Sequence, residues 1–411
     1  MGLLTAGQNT MRAALSTVIR NPSIRVGALA ILFFGFSNAA TAPYQAVIGI
    51  RELGLSDGVY SLLMLVAAVI NVSASVLMGI VADRLGEYRK PMLCIALFGI
   101  SGYFLVYFAA NAPAFIAAKL LLLPIFGAMN SLIFAHVRAD ARGLSPKEMI
   151  SVNSIMRATI SLSWVLVPGI VGIVLAASNT MLSAFLLSGI FATICFLLVA
   201  VYLPKTATPV VRNGEARFGL VASLGEICAP RVLLRVISIA LICSMLHLND
   251  FVRALIITGQ ARGTVTDIGI VVGIVAGLEI VFIIMWGIVE RRSTQRMTLA
   301  TGAVIYAVYL VLQGFATQPW HIYAQTLISG LGAAAIISIP ITYLQELIAD
   351  RPGLGSSLIA VNIFLSAGIG SLVFAIGTYV SDYAGASILG AVFGLAGIVM
   401  LFVLDGTRRT R

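Results

Sequence analysis

Ionisable and polar side chains stand at several points inside long apolar stretches of this 411-residue chain. In hydrocarbon, a charge costs several kcal/mol unless it is paired or faces water, so each is a candidate for ligand binding or proton movement. Glu279 lies between Gly277-Leu278 and Ile280-Val281, with apolar residues for a turn each way. It either carries a proton along a pathway or, protonated, bonds a backbone carbonyl of a neighbouring helix. Arg157 sits seven residues into its stretch, roughly 10 Å deep at 1.5 Å per helical residue. A guanidinium keeps its charge at any usable pH, so it needs an acid, a ligand or water, or it snorkels to the membrane surface. Trp164, seven residues on, shares its helical face and either stacks on the apolar face of a ligand ring or fills a helix contact.

His247, Asn249, Asp250 and Arg253 crowd one apolar stretch. Asp250 is three residues from both His247 and Arg253, so the three can share a face. Two readings stand: an internal Asp250–Arg253 pair, or Asn249 and Asp250 binding hydroxyl groups in a central cavity. Asn38, Tyr44 and Gln45 lie at comparable depth in the first stretch, where Pro43 bends the helix. Lys119 reads as snorkelling, and His136 and His321 read as solvated. The four cysteines lie far apart, with no metal-ligand spacing.

The elements that position these groups follow from composition. With 60% apolar and 10% charged residues, against about 25% charged in ordinary soluble domains, a water-soluble enzyme is excluded. Long unbroken apolar runs also exclude an alternating outer-membrane barrel. Spans of about 20 residues fall near 26–50, 59–82, 91–110, 113–137, 150–177, 180–203, 234–257, 266–289, 297–316, 320–345, 356–380 and 385–404. The longest polar stretch, 204–233, separates six spans (residues 1–203) from six more (residues 234–411). Of the 26 Lys and Arg residues, 21 fall on one side of the membrane, only Arg51 and Arg262 on the other, and three within spans. Both termini and the 204–233 loop are therefore expected in the cytoplasm. The net charge of +10 reflects those basic loops rather than a nucleic-acid partner.

The halves echo each other. A shift of 208 residues places Gly79-Ile80-Val81-Ala82-Asp83-Arg84 on Gly287-Ile288-Val289-Glu290-Arg291-Arg292, and Asn71 on Glu279. A shift of 209 places Val152-Asn153 and Ala158 on Val361-Asn362 and Ala367. An even number of spans lies between the copies, so the repeats are parallel, with a site expected between the halves near the midplane.

The stretch Gly79 to Lys90 resembles the signature loop between helices 2 and 3 of the major facilitator superfamily. Gly79 would allow close helix contact, Asp83 would cap a helix end, and Arg84, Gly86, Arg89 and Lys90 complete the loop as gating residues. Phe134 to Arg138 and Asn153 to Pro168 are similar to helices 4–5 of the bacterial sugar efflux transporters. Ala276 to Ile280 resembles their helix 8, and Tyr343 to Glu346, Pro352-Gly353 and Asn362 their helix 10–11 region. Val281 and Phe364-Leu365 depart from the pattern, where a proline and a basic residue are expected.

The resemblance implies an all-α polytopic membrane protein: twelve transmembrane helices in two pseudo-symmetric six-helix bundles, the major facilitator fold. It implies a secondary transporter, working as a monomer in the bacterial inner membrane and exporting sugars or sugar-like molecules by proton antiport. Asn38, Arg157, Trp164, Asn249, Asp250, Glu279 and Asn362 are the expected substrate ligands. Arg157, Asp250 and Glu279 are expected to couple protons, with helices 5 and 8 bringing Arg157 and Glu279 into reach. An exporter of drugs or other metabolites, an importer, and a non-transporting receptor or scaffold remain open. No Walker, GxGxxG, GxSxG or HExxH motif occurs, so no nucleotide, metal or other cofactor is expected and the chain does not read as an enzyme. The orientation has a direct check. Single cysteines placed between 204 and 233, in a cysteine-free background, should react with an impermeant maleimide only when the cytoplasmic face is accessible.

Overall fold

The computed structural model describes residues 21–140, 145–203, 229–347 and 352–405, and twelve helices long and apolar enough to cross a membrane lie among them. They are α1 (Pro22–Glu52), α2 (Asp57–Leu85), α3 (Arg89–Ala109), α4 (Ala112–Asp140), α5 (Pro146–Ala176) and α6 (Ser183–Tyr202). The second six are α7 (Pro230–Thr258), α8 (Val265–Glu290), α9 (Gln295–Gly314), α10 (Pro319–Leu347), α11 (Pro352–Val380) and α12 (Tyr383–Asp405). No strand occurs among the described residues. Most of the 204–233 loop, residues 204–228, lies outside that set.

Local chemistry sets the helix starts. The Asn21 side chain accepts from the amides of Ser23 and Ile24 at 3.0 and 3.3 Å, with Pro22 at the first helical position. Thr264 and Asp267 form a reciprocal capping box on α8, and Ser145 and Glu148 do the same on α5. The Ser145 bonds hold the exposed Glu148 carboxyl below the usual carboxylate range. Proline breaks two helices where the ladder must yield. Around Pro43, α1 passes from α-helix through a 3₁₀ turn at Ala42–Tyr44 to a π turn at Ile48–Glu52. In α4 a π turn at Ala118–Leu122 carries the half-buried Lys119 just before Pro124.

Many large apolar side chains point outward: Ile284 and Val403 are each 67% exposed. Water does not tolerate such a surface, whereas lipid tails do. Between helices the apolar effect vanishes in lipid, so close packing through small residues takes over. Two compact units result. The first comprises residues 1–42, 69–171 and 178–212, in which α1 packs on α6 and α6 on α3. The second comprises 43–68, 172–177 and 213–411, in which α7 packs on α11 and α12, α9 on α10 and α12, and α8 on α10.

The Gly390/Gly394 pair of α12 serves this packing inside the chain. A Cβ at Gly390 would fall 2.0 Å from Leu248 Cδ2, and one at Gly394 2.2 Å from Met245 Sδ, both on α7. At Gly332 on α10 the obstacle is backbone: a Cβ would come within 2.8 Å of Tyr306 N on α9. Gly332→Ala should therefore force α9 and α10 apart and lower stability by about 1–3 kcal/mol. Gly79→Ala should leave the unfolding temperature in detergent unchanged or raised, because no described atom lies within 4 Å of its Cβ position.

Candidate functional site

In the second unit, α7 and α8 bring three ionisable side chains together. Asp250 Oδ1 lies 3.6 Å from Arg253 Nη2, one helical turn on, with the carboxylate 59% exposed and the guanidinium 10%. A carboxylate so exposed inside a span faces water, because lipid would not tolerate it. Half-buried Glu279, from α8, lies close enough to feel the charges of both Arg253 and Asp250. His247 lies a turn before Asp250. The arrangement is a carboxylate–guanidinium pair on α7 with a second carboxyl within electrostatic range on α8, both inside membrane-spanning helices. Such a group can hold hydroxyl-bearing ligands and can accept or release a proton as its charge balance changes.

The neighbouring amides turn elsewhere. Asn249 is buried, and its Oδ1 accepts a 3.1 Å hydrogen bond from the Tyr309 hydroxyl of α9. One residue along a helix means a rotation of about 100°, which is why Asn249 faces the interior and Asp250 the open side. Asn362 on α11 is buried too, with Nδ2 donating to Cys243 Sγ at 3.6 Å, while its Oδ1 has no partner among the described residues.

The first unit holds the other predicted ligands. Asn38 is half-buried and returns its amide to Phe34 O at 3.0 Å. Trp164 is half-buried on α5, one turn beyond Ile160. Arg157 is exposed and lines a cavity of about 560 Å³ with Asn130, Ser131, Arg138, Asn153 and apolar neighbours of α4 and α5. Arg157 thus belongs to the first unit and Glu279 to the second, where Arg253 is already a nearby cation.

In the signature loop, Gly86 has φ +65° just past the end of α2, a left-handed turn that a side chain would strain. Arg89 donates to the carbonyls of Val199 and Ala200 near the C-terminus of α6, at 3.4 and 2.6 Å, and so ties α3 to α6. Lys90 pairs with Glu87 at 2.8 Å, and Arg84 is exposed. The close contact expected of Gly79 is not made to any described residue, and the Asp83 side chain lies outside the described set. His136 is not solvated: it is 7% exposed, 3.1 Å from Ser23 Oγ and 3.6 Å from Asp140. Its helical face turns into the packing of α1 on α4.

Sequence reading missed a set of contacts in the second unit, around the α1–α2 connection. Arg51 donates to Thr258 Oγ1 at 2.6 Å and to Leu255 O at 2.8 Å, capping the C-terminal end of α7. The Tyr383 hydroxyl donates to Asp57 at 3.1 Å, Ser61 to the carbonyl of Ser371, and Thr266 to Gly172 O at 3.2 Å. Each pairs residues more than ninety positions apart, so no local spacing announces them. A second cavity, of about 830 Å³, opens near the α8–α9 connection. There Asp405 is held by Arg235 at 2.7 Å and by Tyr343 at 3.0 Å, so its charge is already matched.

Comparison with known proteins agrees with this architecture. The sequence model of the Major Facilitator Superfamily matches residues 27–252. A putative sugar efflux transporter of Deinococcus radiodurans is 25% identical, covering 93% of this chain and 97% of its own. Sugar efflux transporter A of Dickeya chrysanthemi is 24% identical over 95% of this chain and 98% of its own. Among solved structures, the nucleoside transporter NupG superposes with a TM-score of 0.75 at 13% identity, covering 95% of this chain and all of that one. The interior placement of Asn249 gives a stability test. Asn249→Ala strands the Tyr309 hydroxyl and should cost about 1–3 kcal/mol. Arg157→Gln, exposed and without an ion pair among the described residues, should stay within about 0.5 kcal/mol in the same unfolding assay.

Proposed function

Since the chain belongs to the Major Facilitator Superfamily and is a multi-pass membrane transporter, we propose that it exports sugars or sugar-like molecules in exchange for protons. The feature that supports this reading is Glu279 on α8 within electrostatic range of the Asp250–Arg253 pair on α7. Beside a cation, a carboxyl group stays ionised; drawn away from it into a less polar setting, it takes up a proton. A conformational change that moves α8 against α7 would thus exchange a guanidinium for a proton at Glu279. Asp250, exposed to water, offers a sugar two oxygens for paired hydroxyls, with Asn38, Trp164, Arg157 and Asn362 as further expected ligands.

The printed names of the curated relatives, sugar efflux transporters, support sugar as substrate and export as direction. The basic-residue asymmetry supports cytoplasmic termini, and a monomer in the bacterial inner membrane completes the proposed reading. Alternating access then requires one face to close while the other opens. The Arg51 cap on α7 and the Asp57–Tyr383 bond are the contacts we assign to closure of the outer face, with the signature loop closing the inner one. Glu279→Gln imitates the protonated acid. In proteoliposomes with a proton gradient, this variant should lose concentrative export while labelled-sugar counterflow persists. Accumulation against a gradient by the variant would remove Glu279 from the coupling step, and binding without counterflow in the wild type would favour a receptor.

A further inference from the structure

The cavity of α4 and α5 carries a charge that no described carboxylate of its own unit pairs with. On α4 its lining repeats at helical spacing, Asn130, Phe134 and Arg138; on α5 it continues with Asn153, Arg157 and Ile160. Two guanidiniums, two amides and the Ser131 hydroxyl therefore converge on one space, and no carboxylate lines it among the described residues. Neither arginine can shed its charge, so two like charges face a common volume.

Three of the four acids of the first unit are engaged elsewhere. It contains four: Asp83, Glu87, Asp140 and Glu148. Glu87 binds Lys90 at 2.8 Å, Asp140 lies 3.6 Å from His136, and Glu148 accepts from Ser145 at 2.7 and 2.8 Å; the Asp83 side chain is outside the described set. Among the described residues, neither Arg138 nor Arg157 forms an ion pair. The Asn130 Oδ1 atom, out of contact with solvent, also has no hydrogen-bond partner among them. A ligand that suits this lining brings negative oxygens to the guanidiniums and hydroxyl donors to the amide oxygens. A volume of about 560 Å³ is ample for one sugar ring with a charged substituent.

Resting on the reading of the chain as a sugar transporter, we propose that this cavity binds the anionic group, a carboxylate or a phosphate, of an acidic sugar. Arg157 and Arg138 are its cationic ligands, and Asn130, Ser131 and Asn153 take adjoining hydroxyls. The substrate class is thereby narrowed from neutral sugars to sugar acids or sugar phosphates. Fork-shaped guanidiniums fit either oxyanion with two parallel hydrogen bonds.

The test uses the full-length protein in neutral-lipid nanodiscs, with glucose, glucuronate and glucose 6-phosphate as probes of binding and, in proteoliposomes, of counterflow. The wild type should bind at least one acidic probe about tenfold or more tightly than glucose. The acid that wins identifies the source of the charge, carboxylate or phosphate. Arg157→Gln and Arg138→Gln should each remove about tenfold of that preference, while Arg157→Lys restores part of it and an unchanged unfolding temperature in detergent reports that the variants are folded. Equal binding and counterflow of all three probes would overturn the anion site and leave sugar transport standing. Failure of every probe to bind or exchange would overturn both. Stabilisation by phosphatidylglycerol that disappears in the arginine variants, with no sugar acid competing for it, would assign the cavity to a lipid headgroup and overturn it as a substrate site.

Discussion

A charge inside hydrocarbon has to be matched by an opposite charge, a hydrogen-bonding ligand or water, and the described charged side chains of the spans are placed under that demand. Asp250 meets it with Arg253 at 3.6 Å and with an open face to water. Arg235 meets it with Asp405 and two backbone carbonyls, and Arg51 with the end of α7. Where the match is complete and internal, as at Asp405, the group holds helices together. Where it is incomplete or reaches water, as at Asp250 and Arg157, the group is available to a ligand or a proton.

The same solvent shapes the packing. Lipid gives no reward for joining two apolar helices, so contact must come from close approach and from hydrogen bonds. Gly302 against Ala335, Gly332 against Tyr306 and Gly390 against Leu248 provide the first. Paired Ser37 and Ser188 hydroxyls, each donating to the other residue's carbonyl at 2.9 and 2.7 Å, provide the second between α1 and α6. Within the described helices, 3₁₀ and π turns interrupt the ladder near Pro43 and Pro124, and those interruptions flank polar side chains. A transporter needs helices that pack firmly along most of their length yet yield at a few places. The distribution of glycine and proline supplies both properties.

The chemistry of the two units is unequal. The second holds a mixed-charge cluster, Asp250, Arg253 and Glu279, able to change its proton content. The first holds a basic, polar cavity around Arg138 and Arg157, whose charge cannot change with pH. A division of labour follows from side-chain chemistry alone: titratable acids suit proton coupling, and permanent cations suit recognition of a ligand.

Span number, length and approximate position were legible in sequence because hydrocarbon thickness sets one length scale and apolar composition reports it directly. Expected spans such as 59–82 and 150–177 became Asp57–Leu85 and Pro146–Ala176, with helix-start chemistry at Ser145 and Glu148 extending the latter. The Asp250–Arg253 pair was also legible, since its partners are one helical turn apart. What sequence left open was rotation. A hydrophobic helix that packs on several sides carries little periodic signal, so nothing local shows that Asn249 turns to Tyr309 while Asp250 turns to water. Burial of His136 and the cap of Arg51 on α7 depend on residues far apart in the chain, and the convergence of Arg138 with Arg157 on the packing of consecutive helices. One dimension determined which segments enter the membrane and which charges travel with them. Only tertiary packing decided which face of each helix those charges occupy, because that choice is set by contacts between helices and not by the order of residues within one.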